Sequence, residues 1–98
     1  MTNNMRPIHP GEVLKEEIDE LGFSASRVAN MLQVPVNRVT SILNCKRAIT
    51  ADTALRLAIF FGTSPEFWLN LQSTYDLKIT IAKFGKKIKR EVTPGKAA

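Results

Sequence analysis

Residues Ser24 to Arg47 read S-A-S-R-V-A-N-M-L-Q-V-P-V-N-R-V-T-S-I-L-N-C-K-R and contain no acidic side chain. Ser24 is a side chain of N-cap type. After it, Ala25, Val28, Ala29 and Leu32 recur at helical spacing, which predicts a short helix with one small, buried face. Pro35 cannot continue that helix and restricts Val34 to extended backbone, so the chain must turn at Gln33-Val34. A second short helix is predicted from about Pro35 to Asn44. Val36, Val39, Ile42 and Leu43 supply its apolar positions, and Asn37, Arg38, Thr40, Ser41 and Asn44 lie on its other faces.

On the C-terminal side, Thr50 is the expected N-cap of a helix with Asp52 in its first turn. Ala51, Ala54, Leu55, Ala58 and Phe61 form its predicted stripe, and Gly62 ends it. Ser64, Pro65 and Glu66 open the next helix, with Phe67, Trp68, Leu71 and Tyr75 as a bulky apolar face. Leu77, Ile81, Phe84, Ile88 and Val92 extend the helical spacing further, so either that helix continues or a sixth helix forms. Gly85 weakens that pattern, and Ile79-Thr80-Ile81 also fits a short strand; helix is the preferred reading. Residues 93–98 read as a frayed tail. On the N-terminal side, a helix is predicted from Pro10 to Leu21, with proline at its first position, acids in its early turns, a Leu14, Ile18, Leu21 stripe and Gly22 at its end.

The chain has 98 residues and a formal net charge of +5, the size of a single domain. The charge is unevenly spread: −3 over residues 1–23, +4 over 24–47, −2 over 48–77 and +6 over 78–98. Basic clusters of this kind attract polyanions. No apolar run is long enough for a membrane span, and Met1 to Pro10 lacks the apolar stretch of a signal peptide, so the expectation is a cytoplasmic protein. Cys45 is the only cysteine and His9 the only histidine, which excludes an internal disulfide and a cysteine-based zinc site. His9 reads as a helix-start residue rather than a metal ligand. There is no glycine-rich phosphate loop and no cysteine–histidine pair, so neither an enzyme nor a cofactor or small-molecule substrate is expected.

Two short helices with a tight break between them have a direct physical use. One packs across the other, and the second lies in the major groove of DNA, reading base edges with its first turns. The side chains placed to do so are Val36, Asn37, Arg38, Thr40, Ser41 and Asn44: Arg suits guanine, Asn suits adenine, and Val can touch a thymine methyl. Ser24, Ser26, Arg27, Lys46 and Arg47 are placed to hold phosphates. A small helical bundle with merely solvated polar faces has the same periodicity.

The segment from Arg27 to Gln72 resembles the XRE/Cro-type helix-turn-helix family. The H-P-G-E start at His9 to Glu12, the run I-T-A-D-T-A-L-R-L-A from Ile49, the run F-G-T-S-P-E-F-W-L-N-L-Q from Phe61 and Tyr75-Asp76-Leu77 are similar to its HigA branch, the antitoxins of HigBA systems. The similarity spans His9 to Leu77. It implies an all-α, five-helix lambda-repressor-like helix-turn-helix domain over 9–77, preceded by an N-terminal arm (1–8) and followed by a basic C-terminal extension (78–98) that is partly helical or disordered. It also implies a homodimer, with Phe67, Trp68 and Leu71 at the interface (Trp68 equally fits the core), that represses its own promoter and neutralises a HigB-type mRNA-cleaving toxin. A phage-type repressor without a toxin, and a toxin-binding module with weak DNA binding, share the same helices. Two positions depart from the family pattern: Cys45 and Gln33 stand where glycine is frequent, so the turn after the reading helix is expected to close differently. Cys45 reads as a tolerated small residue in preference to a redox-sensitive thiol whose pKa is lowered by Lys46 and Arg47.

Overall fold

Side-chain caps set where most of the helices begin. In the computed structural model, which describes residues 6–96, α1 spans Pro10–Leu21, α2 Ala25–Leu32, α3 Val36–Leu43, α4 Ala51–Phe61 and α5 Pro65–Glu91, and no strand occurs among the described residues. Ser24, Thr50 and Ser64 each accept a hydrogen bond from the backbone N–H three residues on. His9 opens α1 with a full capping box: its Nδ1 accepts from Gly11 N–H at 2.9 Å, and Glu12 accepts from the His9 N–H at 3.0 Å. Of these five helices only α3, whose N-cap is Pro35, lacks a side-chain cap.

The first four helices share one ending. Gly22, Gln33, Cys45 and Gly62 take left-handed backbone, with φ of 72°, 59°, 61° and 71°. After each, the next N–H reaches back to close a six-residue ring: Phe23 to Ile18 O, Val34 to Ala29 O, Lys46 to Ser41 O and Thr63 to Ala58 O. The expectation that Cys45 changes the turn is therefore corrected. Cysteine takes the glycine geometry, at about 1 kcal/mol of steric strain or more. Gln33 does the same, and its Nε2 donates to Asn30 O at 2.8 Å.

The core joins Leu14 and Ile18 of α1, Val28, Ala29 and Leu32 of α2, Val39 and Ile42 of α3, and Ala54 and Leu57 of α4 with Ile49 and Trp68. Each large side chain contributes on the order of 2 kcal/mol by leaving water. Two predicted stripes need correction: on α1 Leu14 and Ile18 are buried but Leu21 is 47% exposed, and on α4 the buried face is Thr53, Ala54, Leu57 and Ala58, whereas Leu55 is 54% exposed. Leu55 and Leu57 both fit a helical stripe; the position of α5 selects the second. Trp68 is 1% exposed, packs edge-on to Phe67 and beside Phe61, and donates its indole N–H to Thr63 Oγ1 at 3.2 Å. It has no surface to offer a second protomer and belongs to the core. Phe67 keeps 43% of its surface, and Leu71 is half-buried.

Two contacts, one steric and one polar, hold the frame around α3. Gly11 sits against the end of α3 so closely that a Cβ there would lie 1.8 Å from Ile42 O. Gln72, buried on α5, accepts from Ile49 N–H at 2.8 Å and donates to Asp76 at 2.9 Å, which ties the α3–α4 connection to α5. Helix α5 runs unbroken through Gly85 for 27 residues, about 40 Å at 1.5 Å per residue. The short-strand alternative at 79–81 does not occur. Residues 1–5 of the expected arm and 97–98 of the tail lie outside the described residues; Thr93 to Lys96 are exposed and not helical.

Candidate nucleic-acid interface

Helix α3 buries Val39 and Ile42 and turns its opposite side outward. At about 100° per residue, Asn37, Ser41 and Asn44 fall on the row facing away from the core, with Thr40 beside them. Asn37 and Asn44 are exposed, Thr40 and Ser41 half-buried, and Val36 at the first turn is 45% exposed. Thr40 Oγ1 donates to the Asn37 backbone carbonyl at 3.4 Å, and the Asn37 side-chain amide has no hydrogen bond to another side chain among the described residues. These side chains supply donors and acceptors on one short helix, the chemistry that base edges require.

The surrounding groups are cationic or N–H-rich. Ser24 and Ser26 at the start of α2 are exposed, and the Arg27 guanidinium lies 3.9 Å from the centroid of the Phe23 ring, which steadies it by a cation–π contact. Lys46 and Arg47 follow the α3 end and are exposed. The ring closed by Lys46 N–H on Ser41 O, at 2.8 Å, fixes the backbone at Lys46 against the end of α3. Arg38 and Arg47 line an open groove of about 360 Å³ with Ala48, Thr50 and Thr53.

Arg38 stands apart from the row it was expected to join. Its Nη1 donates to Asp52 Oδ1 at 2.7 Å, and the same oxygen accepts from Arg56 Nε at 2.8 Å. Arg56 also donates to Leu32 O at 2.9 Å, so one carboxylate links α3, α4 and the end of α2. Arg56 first and then Arg38 hold the Asp52 carboxyl below its usual range. At the other end of the face, Arg6 grips Glu12 at 2.7 Å and, with the His9 N–H, holds its carboxyl down to about 2. The pair is solvent-exposed, so screening leaves it little net weight in stability. Burial pushes the Cys45 thiol up, Glu12 adds to this and Arg6 opposes it, contrary to the lowering that a redox-sensitive thiol needs.

Sequence patterns alone did not disclose Asp52, Arg56, Gly11 or Gln72 as supports of this face. Asp52 and Arg56 read as helix-start acid and surface base, and their one signal is the i, i+4 spacing. Gly11 and Gln72 act through contacts distant in the chain.

The helix-turn-helix family profile matches residues 14–68. The fold superposes on the addiction module antidote protein of the HigA family from Coxiella burnetii with a TM-score of 0.89 and 65% identity, covering 92% of this chain and 99% of that one. The chain belongs to the HigA branch of the helix-turn-helix family. Pseudomonas aeruginosa antitoxin HigA, solved with the higBA promoter, is 43% identical with a TM-score of 0.88 over 93% of this chain and all (100%) of that one. Virulence-associated protein I of Dichelobacter nodosus is 49% identical over 78 residues, which are 79% of this chain and 72% of its own. That family is one of DNA-binding helix-turn-helix antitoxins and regulators, not an enzyme class. No helix among the described residues is long and apolar enough to cross a membrane.

Proposed function

We propose that this chain is a homodimeric, cytoplasmic autorepressor that binds an operator at its own promoter and neutralises a HigB-type mRNA-cleaving toxin. The observation that carries the DNA reading is the α3 row of Asn37, Ser41 and Asn44, flanked by exposed Lys46 and Arg47 in a stretch without acids. Val36 and Thr40 border that row, and Ser24, Ser26, Arg27, Lys46 and Arg47 hold phosphates. That the similar Pseudomonas aeruginosa HigA was solved with the higBA promoter supports DNA binding by this chain. Two copies of α3 set about one helical turn apart, roughly 10 bp, would enter successive major grooves. Support for the dimer comes from exposed apolar residues on α5, namely Phe67, Leu77, Ile81, Phe84 and Ile88, with Val92 at its C-cap. Leu71, half-buried beside them, extends that contact. The exposed acids Glu16, Glu17 and Glu20 of α1 suit a basic RNA-cleaving partner.

Footprinting of the DNA upstream of the coding region, with and without the product of the adjacent gene, tests this. A pair of protected half-sites is expected. Asn37→Ala should reduce discrimination at one base pair per half-site by about 1–3 kcal/mol, whereas Lys46→Ala should weaken all sequences alike. No protection upstream, with capture of the adjacent product intact, would replace the repressor by a toxin-binding module.

A further inference from the structure

Arginine is the side chain best suited to reading guanine or gripping phosphate, and Arg38 occupies the first turn of the reading helix. Yet its guanidinium is engaged. Its donor and that of Arg56 converge on one oxygen of Asp52, at 2.7 and 2.8 Å, and Arg56 is itself anchored to the Leu32 carbonyl. Only 29% of the Arg38 side chain is exposed. On the helix, Arg38 lies one residue, about 100°, from Asn37, on the flank from which it reaches Asp52 in the first turn of α4.

We propose that Asp52 is a specificity-determining positioning residue that keeps Arg38 bound to α4 and off the DNA, so that base choice rests with Asn37, Ser41 and Asn44. The physical logic is a balance of general and selective contacts. A free cation at the groove strengthens binding to every sequence, because any phosphate serves it. Neutralising it within the protein removes one sequence-blind contact and leaves the selective ones untouched, which raises the ratio of operator to random DNA binding. The pair also fixes α3 against α4, so the reading row is presented at a set angle. Arg56 reinforces the arrangement from the far side: by sharing Asp52 Oδ1 and holding Leu32 O, it keeps the carboxylate aimed at α3.

The inference rests on the DNA-binding reading above, and one set of measurements separates the two. The full-length dimer is titrated against its operator and against unrelated duplex of equal length, over a range of salt. The variants are Asp52→Asn, Asp52→Ser, Arg38→Gln and Asp52→Asn with Arg38→Gln, each checked for an intact fold by thermal melt. Serine suits a helix start, so it preserves the test if asparagine destabilises α4. Release of Arg38 should tighten binding to unrelated DNA about fivefold and steepen the salt slope by about one for each protomer. Operator affinity should change less, so the specificity ratio falls. In the Arg38→Gln background the Asp52 substitution should lose most of this effect, because the remaining partner, Arg56, stays anchored to the Leu32 carbonyl and no cation on α3 is left to be released. Equal effects of Asp52→Asn with and without Arg38 would overturn the proposal, since they would reflect only the lost negative charge. So would a loss of base preference at one position in Arg38→Gln alone, which would make Arg38 a direct reader. A wild-type protein that does not distinguish operator from unrelated DNA would overturn the parent reading and this one together.

Discussion

Replacing Gly11 by alanine should loosen the domain at the contact between α1 and α3. The added Cβ would lie 1.8 Å from the Ile42 carbonyl oxygen and 2.9 Å from its carbon, both backbone atoms that no rotamer change can move. Ordinary contact requires the two helices to part by roughly 1.5 Å, which strips close packing from Leu14, Ile18 and Ile42 nearby. Overpacking of this size costs about 3 kcal/mol, and alanine's better helix propensity returns at most about 1 kcal/mol. The net loss of about 2 kcal/mol should lower the melting temperature by roughly 10 °C in a domain of this size. Thermal unfolding followed by circular dichroism measures it. Gly85 provides the internal control: its nearest outside atom is Ile81 Cγ2 at 3.4 Å, so Gly85→Ala should raise stability by up to about 1 kcal/mol. Because Ile42 belongs to the reading helix, Gly11→Ala should also weaken operator binding beyond what its stability loss explains. A Gly11→Ala protein that melts within about 2 °C of the wild type would refute the reasoning, because it would mean the helix contact yields at almost no cost.

Three further outcomes follow from single contacts. Gln72→Ala should destabilise by about 1–3 kcal/mol in denaturant titration, because it leaves the buried Ile49 N–H without its acceptor. Cys45→Gly should stabilise by roughly 0.5–1 kcal/mol, since glycine relieves the left-handed strain at φ 61° while losing some entropy; Gln33→Gly should gain less, because it forfeits the bond to Asn30 O. The pH dependence has a defined sign at His9, whose pKa burial lowers against the opposing charges of Glu12 and Asp76. The folded state therefore binds fewer protons there than the unfolded chain. The contribution is fully present above the unfolded value of about 6.5 and is lost as pH falls through the lowered folded value. Melts from pH 8 to pH 5 should show this decline in the wild type and a flatter profile in His9→Asn, which retains a capping side chain without a titrating ring.

The amino-acid sequence by itself determined the helix boundaries and the face that carries the charge. Ser24, Thr50 and Ser64 bond to amides three residues away, and Gly22 and Gly62 end helices within the same turn, so their effect is decided locally. Even Cys45 and Gln33 were legible as places where glycine would sit more easily, although only the structure showed that both accept the glycine conformation. The acid-free run from Ser24 to Arg47 was equally plain. Side-chain partners separated by a fold rather than by a turn were not legible. Whether Leu55 or Leu57 was buried depended on where α5 lay, and whether Trp68 faced inward depended on Phe61 and Thr63. The need for glycine at position 11 arose from a backbone oxygen in another helix, and the buried role of Gln72 from an amide on the far side of α4. Arg38 shows the difference most clearly. Its place on an amphipathic helix marked it as a DNA-reading side chain, because spacing records which face a residue occupies but not which neighbour competes for it. Tertiary packing set Asp52 2.7 Å away, and at that distance an ion pair, rather than helical periodicity, decides where the guanidinium points.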